Sequence, residues 1–110
     1  MDVVGDKRDF LLAYQKLPNG LLKNAVKEII RDIKNDSIVG EHVKRDQIPQ
    51  YYVKRHNVQV LYRVALPQYW RLTYTVFTLN LGEPPKALLL ELMSHDAYNK
   101  RFGYFKKKSA

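Results

Sequence analysis

A chain of 110 residues that is 45% hydrophobic and 12% aromatic is expected to form one globular domain, 1–110, around a single core. It has no cysteine, which excludes disulfides and thiolate metal sites, and no apolar run approaches the ~20 residues of a membrane span. Its 19 Lys and Arg against 11 Asp and Glu give a net charge of +8, which points to a polyanionic partner. Nucleic acid is favoured over a membrane surface, because the bases lie in loop and sheet-like segments rather than on one amphipathic helix.

The opening MDVVGDKRDF mixes acids with bases and holds no apolar signal core, so a cytoplasmic location is expected. A first helix is predicted from about Asp6 to Leu17, with Asp6 as its cap and Phe10, Tyr14 and Leu17 at helical spacing. Pro18-Asn19-Gly20 breaks it. Leu22, Val26, Ile29, Ile30 and Ile33 then mark an amphipathic helix through about Asn35, and the two helices are expected to form a hairpin. Ile38 to Tyr52, with Gly40 and Pro49, lacks periodicity and reads as a loop crossing toward a sheet; it carries Lys44 and Arg45.

The organising stretch is Asn57 to Asn80, which reads as a β-hairpin. Val58, Val60, Tyr62 and Val64 share one face of the first strand; Trp70, Leu72, Tyr74 and Val76 share one face of the second. Matching apolar to apolar pairs Tyr62 with Leu72 and Val64 with Trp70, which sets Arg63 opposite Arg71. Facing arginines either frame an anion or stand solvated on an exposed sheet face. After a turn at Gly82-Glu83-Pro84-Pro85, the apolar run Lys86 to Met93 suits helix or strand by periodicity; a strand buried on much of both faces is expected because it follows a hairpin. Ser94 then caps a short helix that stops at Gly103, with Tyr98 and Arg101 on one side and His95 at the strand-to-helix junction. Lys106, Lys107 and Lys108 close the chain as a basic tail, 105–110, expected to be mobile. Leu22, Val26, Ile30, Tyr62, Leu72 and Tyr74 are expected to share one core.

The order of a helix pair, GEHVKRDQIPQYYVKRHN, LYRVALPQYWRLTYTV and LLLELMSHDAYNKRFGY resembles the RelE/ParE superfamily of toxins, especially its archaeal RelE-like members, over roughly Leu17 to Tyr104. LYRV with WRLTYTV is similar to the family's paired arginine-bearing strands, and SHDAY to its C-terminal His and Tyr region. The resemblance implies an α+β fold in which an N-terminal two-helix hairpin packs on a twisted antiparallel sheet, followed by a short C-terminal helix. It implies an endoribonuclease that cuts mRNA, usually on the ribosome, and is neutralised by a small antitoxin, acidic and partly disordered. The family begins with a strand before its helices. Here only Val3-Val4 could supply one, and a missing or vestigial edge strand would alter how an antitoxin docks.

Metal-free RNA cleavage needs a base for the 2′-hydroxyl, stabilisation of the phosphate's growing charge, and an acid for the leaving 5′-oxygen. Arg71 and Arg63 suit the second task, as guanidinium forks bind phosphate oxygens. By resemblance, Arg71 matches the arginine that follows the strand connection. His95 is expected as base, Tyr98 as a proton donor, substrate orienter or base-stacking surface, and Glu91 as the group that orients His95 or is itself the base. Lys44, Arg45, Lys54, Arg55 and Arg101 are the expected RNA-binding cations. The blander reading makes His95 a capping residue and Tyr98 part of the core. The three histidines, His42, His56 and His95, lack metal-ligand spacing, and no cofactor motif is present. Two other functions are compatible with the same residues: a non-catalytic RNA- or ribosome-binding module, and a ParE-like topoisomerase inhibitor. Paired proton-transfer groups favour the nuclease over the inhibitor.

Overall fold

The computed structural model describes residues 1–104; the basic tail 105–110 lies outside them. The described residues form an α+β domain of five strands in one mixed sheet, ordered β1-β5-β4-β3-β2, and four α-helices. A strand comes first. Asp2–Gly5 is β1, running parallel to the last strand, β5 (Lys86–Met93), with Val3 beside Ala87 and Val4 beside Leu88. The expected N-terminal helix hairpin on an antiparallel sheet is therefore corrected. Two valines are too short a signal to announce a strand, and β1 exists because β5, more than 80 residues away in the chain, gives its backbone a ladder to join. The strand that the family resemblance requires, and that Val3-Val4 alone could supply, is present in full.

The ladder continues one residue beyond β1, with the Asp6 N–H donating to the Leu89 carbonyl at 2.8 Å. Asp6 then turns the chain into a helix by accepting the N–H groups of Arg8 and Asp9. That helix opens as a π-helical turn, Lys7–Leu11, continues as α1 (Leu12–Lys16), and ends where Leu17 goes extended ahead of Pro18. The next helix, α2 (Leu21–Lys34), follows the predicted span. The π-helical turn rests on β5 and α2 on β1 and the β3–β4 link, so each is held by the sheet. Phe10, Leu22, Val26 and Ile33 meet Val64, Leu72, Tyr74, Leu89 and Leu92 in the main core, with Ile30 and Tyr62 packed against it. All six side chains expected to share a core do so.

The segment read as a loop is structured. Glu41–Val43 forms edge strand β2 on β3, and Gln50–His56 forms α3, capped by Asn57 in the left-handed region. Tyr51, Tyr52 and Val53 are poor helix formers, so α3 is specified by burial rather than propensity. With Val43, Ile48, Val58, Leu61 and Leu90 it builds a second core on the sheet face opposite α2, and this face is where the chain keeps its polar chemistry.

The central hairpin pairs β3 (Leu61–Ala65) with β4 (Arg71–Phe77) in a register two residues from the expected one: Tyr62 faces Tyr74, Val64 faces Leu72, and Ala65 faces Arg71. Strand β3 starts at Leu61, because Val58 turns into the second core. Trp70 is spent on the connection, where a turn over Pro67–Tyr69 is closed by the Leu66 N–H donating to the Trp70 carbonyl at 2.9 Å. A shift of two preserves which face each side chain occupies. Arg63 and Arg71 therefore share a face as diagonal neighbours rather than standing opposite one another.

In β5 a bulge does the reverse. Thr73 pairs with Glu91 but Tyr74 with Leu89, so Leu90 is an extra residue and the alternation flips there. Without the bulge, Leu88 and Glu91 would lie on opposite faces; with it, Glu91 and Met93 join Leu88, Thr73 and Arg71.

Gly40, leading into β2, has φ +91°, and a Cβ there would lie 2.5 Å from the Arg63 carbonyl oxygen. Gly40→Ala combines left-handed strain with a backbone clash, and we expect it to cost about 1–3 kcal/mol. Chemical denaturation checks this; a variant as stable as the parent would contradict the close approach of β2 to β3.

Candidate functional site

Beyond the end of α3, the second sheet face is uncovered. A cavity of about 420 Å³ opens there, lined by Gly40, Glu41, Arg63, Ala65, Arg71 and Tyr98. Its floor is the paired ends of β3 and β4, and its wall is α4 (His95–Phe102), which Ser94 caps by accepting the Ala97 N–H and Gly103 ends in the left-handed region. These ends of α4 are the ones predicted.

Arg63 is heavily partnered. Its Nε–H donates to Glu41, and its Nη1 donates to the hydroxyls of Tyr98 and Tyr104, each at 2.9 Å. Burial disfavours its charge, but the Glu41 carboxylate and the Tyr104 hydroxyl outweigh this and hold its pKa above the usual guanidinium value. Arg71 is different. Its guanidinium lies 5.3 Å from the centre of the Tyr98 ring and donates to the Trp70 carbonyl, with no carboxylate partner among the described residues. Burial of Tyr98 raises its pKa against the opposing pull of Arg63, so its hydroxyl keeps its proton at neutral pH. The cavity thus presents one braced cation, one cation with spare donors, and a phenol between them.

Glu91 is placed elsewhere. Only 8% exposed, its carboxylate accepts the Tyr52 hydroxyl at 2.6 Å and both Nε and Nη2 of Arg101 at 2.9 and 3.0 Å. Thr73 donates to the Tyr52 oxygen at 3.0 Å, completing the set. Burial and the adjacent Glu91 carboxylate push the Tyr52 pKa far above its ordinary range. Glu91 therefore binds α3 and α4 to the sheet and does not touch His95, contrary to its expected role. Arg101, expected on RNA, is committed to this pair and stacks 3.7 Å from the Tyr51 ring. Burial by partners, invisible in a sequence, takes both out of the candidate chemistry.

His95 begins α4 and is exposed. Its ring meets Tyr69 edge-on at 5.8 Å, and its Nε2 lies 3.2 Å from the Asn99 amide. It therefore sits against the β3–β4 link and is not one of the residues lining the cavity. Lys44 and Arg45, in the link between β2 and α3, and Lys54, on α3, are exposed and remain available to a polyanion. Arg55 is not: it pairs with Asp6 at 3.1 Å and lies 3.7 Å from Asp9. Gly40, Glu41 and Tyr104 were missed from sequence. Glu41 gave a faint signal, because an acid beside His42 on a strand edge invites a basic cross-strand partner. Among the described residues no group of three or more His, Asp or Glu is arranged to hold a metal ion, and no helix is long and apolar enough to cross a membrane.

Compared with protein-family models, with curated proteins and with solved structures, the chain matches none.

A second polar cluster fixes the N-terminus. Asp6 takes Arg55 and His56, each at 3.1 Å, as well as its two backbone N–H groups. Burial opposes ionisation of Asp6, but the N–H of Asp9 and the Arg55 guanidinium outweigh it and depress its pKa. The unfolded chain therefore binds the Asp6 proton more readily, so this contribution is complete above about pH 4 and is lost as pH falls through the depressed folded value. The stability advantage of the parent over Asp6→Asn should shrink as pH falls below about 4 in urea titrations. An advantage equally large at pH 2.5 would remove the ionic account of this cluster.

Proposed function

We propose that this protein is a RelE-like toxin: a metal-independent endoribonuclease that cuts mRNA, acts on translating ribosomes and is restrained by a small acidic antitoxin. The observation that carries the reading is the convergence of Arg63, Arg71 and Tyr98 on one cavity in a chain of net charge +8. In this reading the scissile phosphate sits against Arg71, which has no carboxylate partner among the described residues, while the braced Arg63 supplies fixed positive potential behind it. Attack of the 2′-oxygen on phosphorus and departure of the 5′-oxygen leave a 2′,3′-cyclic phosphate and a 5′-hydroxyl. His95, beside Tyr69 at the start of α4, takes the 2′ proton, and Tyr98, a neutral phenol, is the donor beside the phosphate. Lys44, Arg45 and Lys54 attract the flanking strand. The engagement of Glu91 by Arg101 and Tyr52 favours a second reading, a non-catalytic RNA- or ribosome-binding module, because it deprives His95 of its expected carboxylate.

Inducible expression with mapping of mRNA 5′ ends distinguishes the two. Wild type should cleave and arrest growth; Arg71→Ala should fold normally and lose about 10²–10³-fold in cleavage, and His95→Ala about 100-fold or more. Retained RNA binding without cleavage by the wild type would leave only the binding module. RNA affinity should also fall log-linearly with salt, and Arg71→Ala should reduce that slope by about 0.7 for a single strand.

A further inference from the structure

We propose that Tyr69, flanked by His95, forms a nucleobase subsite next to the phosphate-binding cavity: a stacking surface for one base of single-stranded RNA. This rests on the RNA reading of the cavity and adds to it a residue that neither the sequence pattern nor the cavity lining assigns.

The argument begins with what the fold asks of position 69. The β3–β4 link places Gln68 and Tyr69 at φ +62° and +63°, consecutive residues in the left-handed region. Glycine or asparagine meets that requirement with least strain. A tyrosine there is strained, and the core gains nothing from it, since Tyr69 is 72% exposed. Backbone strain of this kind persists where function uses it. The ring has one notable neighbour: His95, in edge contact at 5.8 Å, itself held by Asn99. The two rings form an aromatic rim whose tyrosine is largely open to solvent. Arg71 follows two residues later and Ala65, its cross-strand partner, lines the cavity, so the rim and the phosphate clamp occupy the same end of the sheet. Two residues span at most about 7 Å, within the reach of a single nucleotide. An exposed tyrosine gives stacking area at low entropic cost and accepts any base, because every base has a π-face.

The test uses a fluorescein-labelled RNA tetramer with 2′-O-methyl riboses, which cannot be cut, alongside versions made abasic at one position at a time. Wild type should lose about 5- to 150-fold in affinity at one abasic position, the range expected for a single stacked base. Tyr69→Phe should keep that preference. Tyr69→Gly and Tyr69→Asn, which relieve the left-handed strain and should melt no lower than wild type, should bind intact and abasic tetramers alike. Arg71→Ala should weaken binding to all tetramers while keeping the base preference. Wild-type base preference in Tyr69→Gly and Tyr69→Asn overturns the subsite, as does binding by the wild type that ignores the abasic position, and either leaves the phosphate clamp standing. Failure of wild type to bind any tetramer overturns the RNA reading and the subsite with it.

Discussion

A carboxylate that is almost out of water must be answered by its surroundings, and Glu91 sets that demand on the second face of the sheet. An ionised acid in such a position is stable only with hydrogen-bonded, oppositely charged partners. Arg101 supplies the charge from α4, Tyr52 a hydroxyl from α3, and Thr73 completes the chain from β4. Two helices are thereby tied to the same strand. The extra residue in β5 is what turns Glu91 toward them. Remove the bulge and the acid would point into the apolar core beneath α2, where nothing could answer it. The same α4 carries Tyr98 to Arg63 and Arg71, so the placement that Glu91 enforces also sets the wall of the cavity.

The two arginines divide the work of an anion site. Arg63 is surrounded by Glu41, Tyr98 and Tyr104, so its position is set before any ligand arrives. Among the described residues Arg71 is held by a ring face and one carbonyl, which leaves donors for an anion. Preorganisation in the first and capacity in the second are complementary. A site of two fully paired arginines would have nothing to offer an anion, and one of two unpaired arginines would have to be ordered on binding.

Much of this was legible in the residues. The 3.6-residue pattern of Leu22, Val26 and Ile33 located α2, and the period-2 alternation around Tyr62 and Tyr74 located the hairpin and sorted its faces. Ser94 and Gly103 gave both ends of α4. What could not be read were features that depend on distant partners. Strand β1 is two valines until β5 accepts it, and α3 is a tyrosine-rich segment that becomes helical by burying Tyr52. The bulge in β5 leaves no trace in Lys86 to Met93, where leucines satisfy either face. For the site, strand parity revealed that Arg63 and Arg71 share a face, since it is local, whereas Tyr98 was joined to them only by the family resemblance. The chain hid that Glu91, Arg101 and Arg55 are consumed by internal pairs, because ion pairing across 10 to 49 residues of sequence follows from topology.

The parallel pairing of β1 with β5 also sets the timetable of assembly. The first strand emerges with no ladder to join, for its partner begins at Lys86. At about 5–20 residues per second, a nascent chain carries an unpaired N-terminus for roughly 4–17 s before β5 is made. Asp6 waits as well, since its ladder bond is to Leu89. The wall of the cavity is later still, because Tyr98 is carried by the last helix. Closure of the sheet and completion of the arginine pocket therefore both wait for β5 and the helix that follows it.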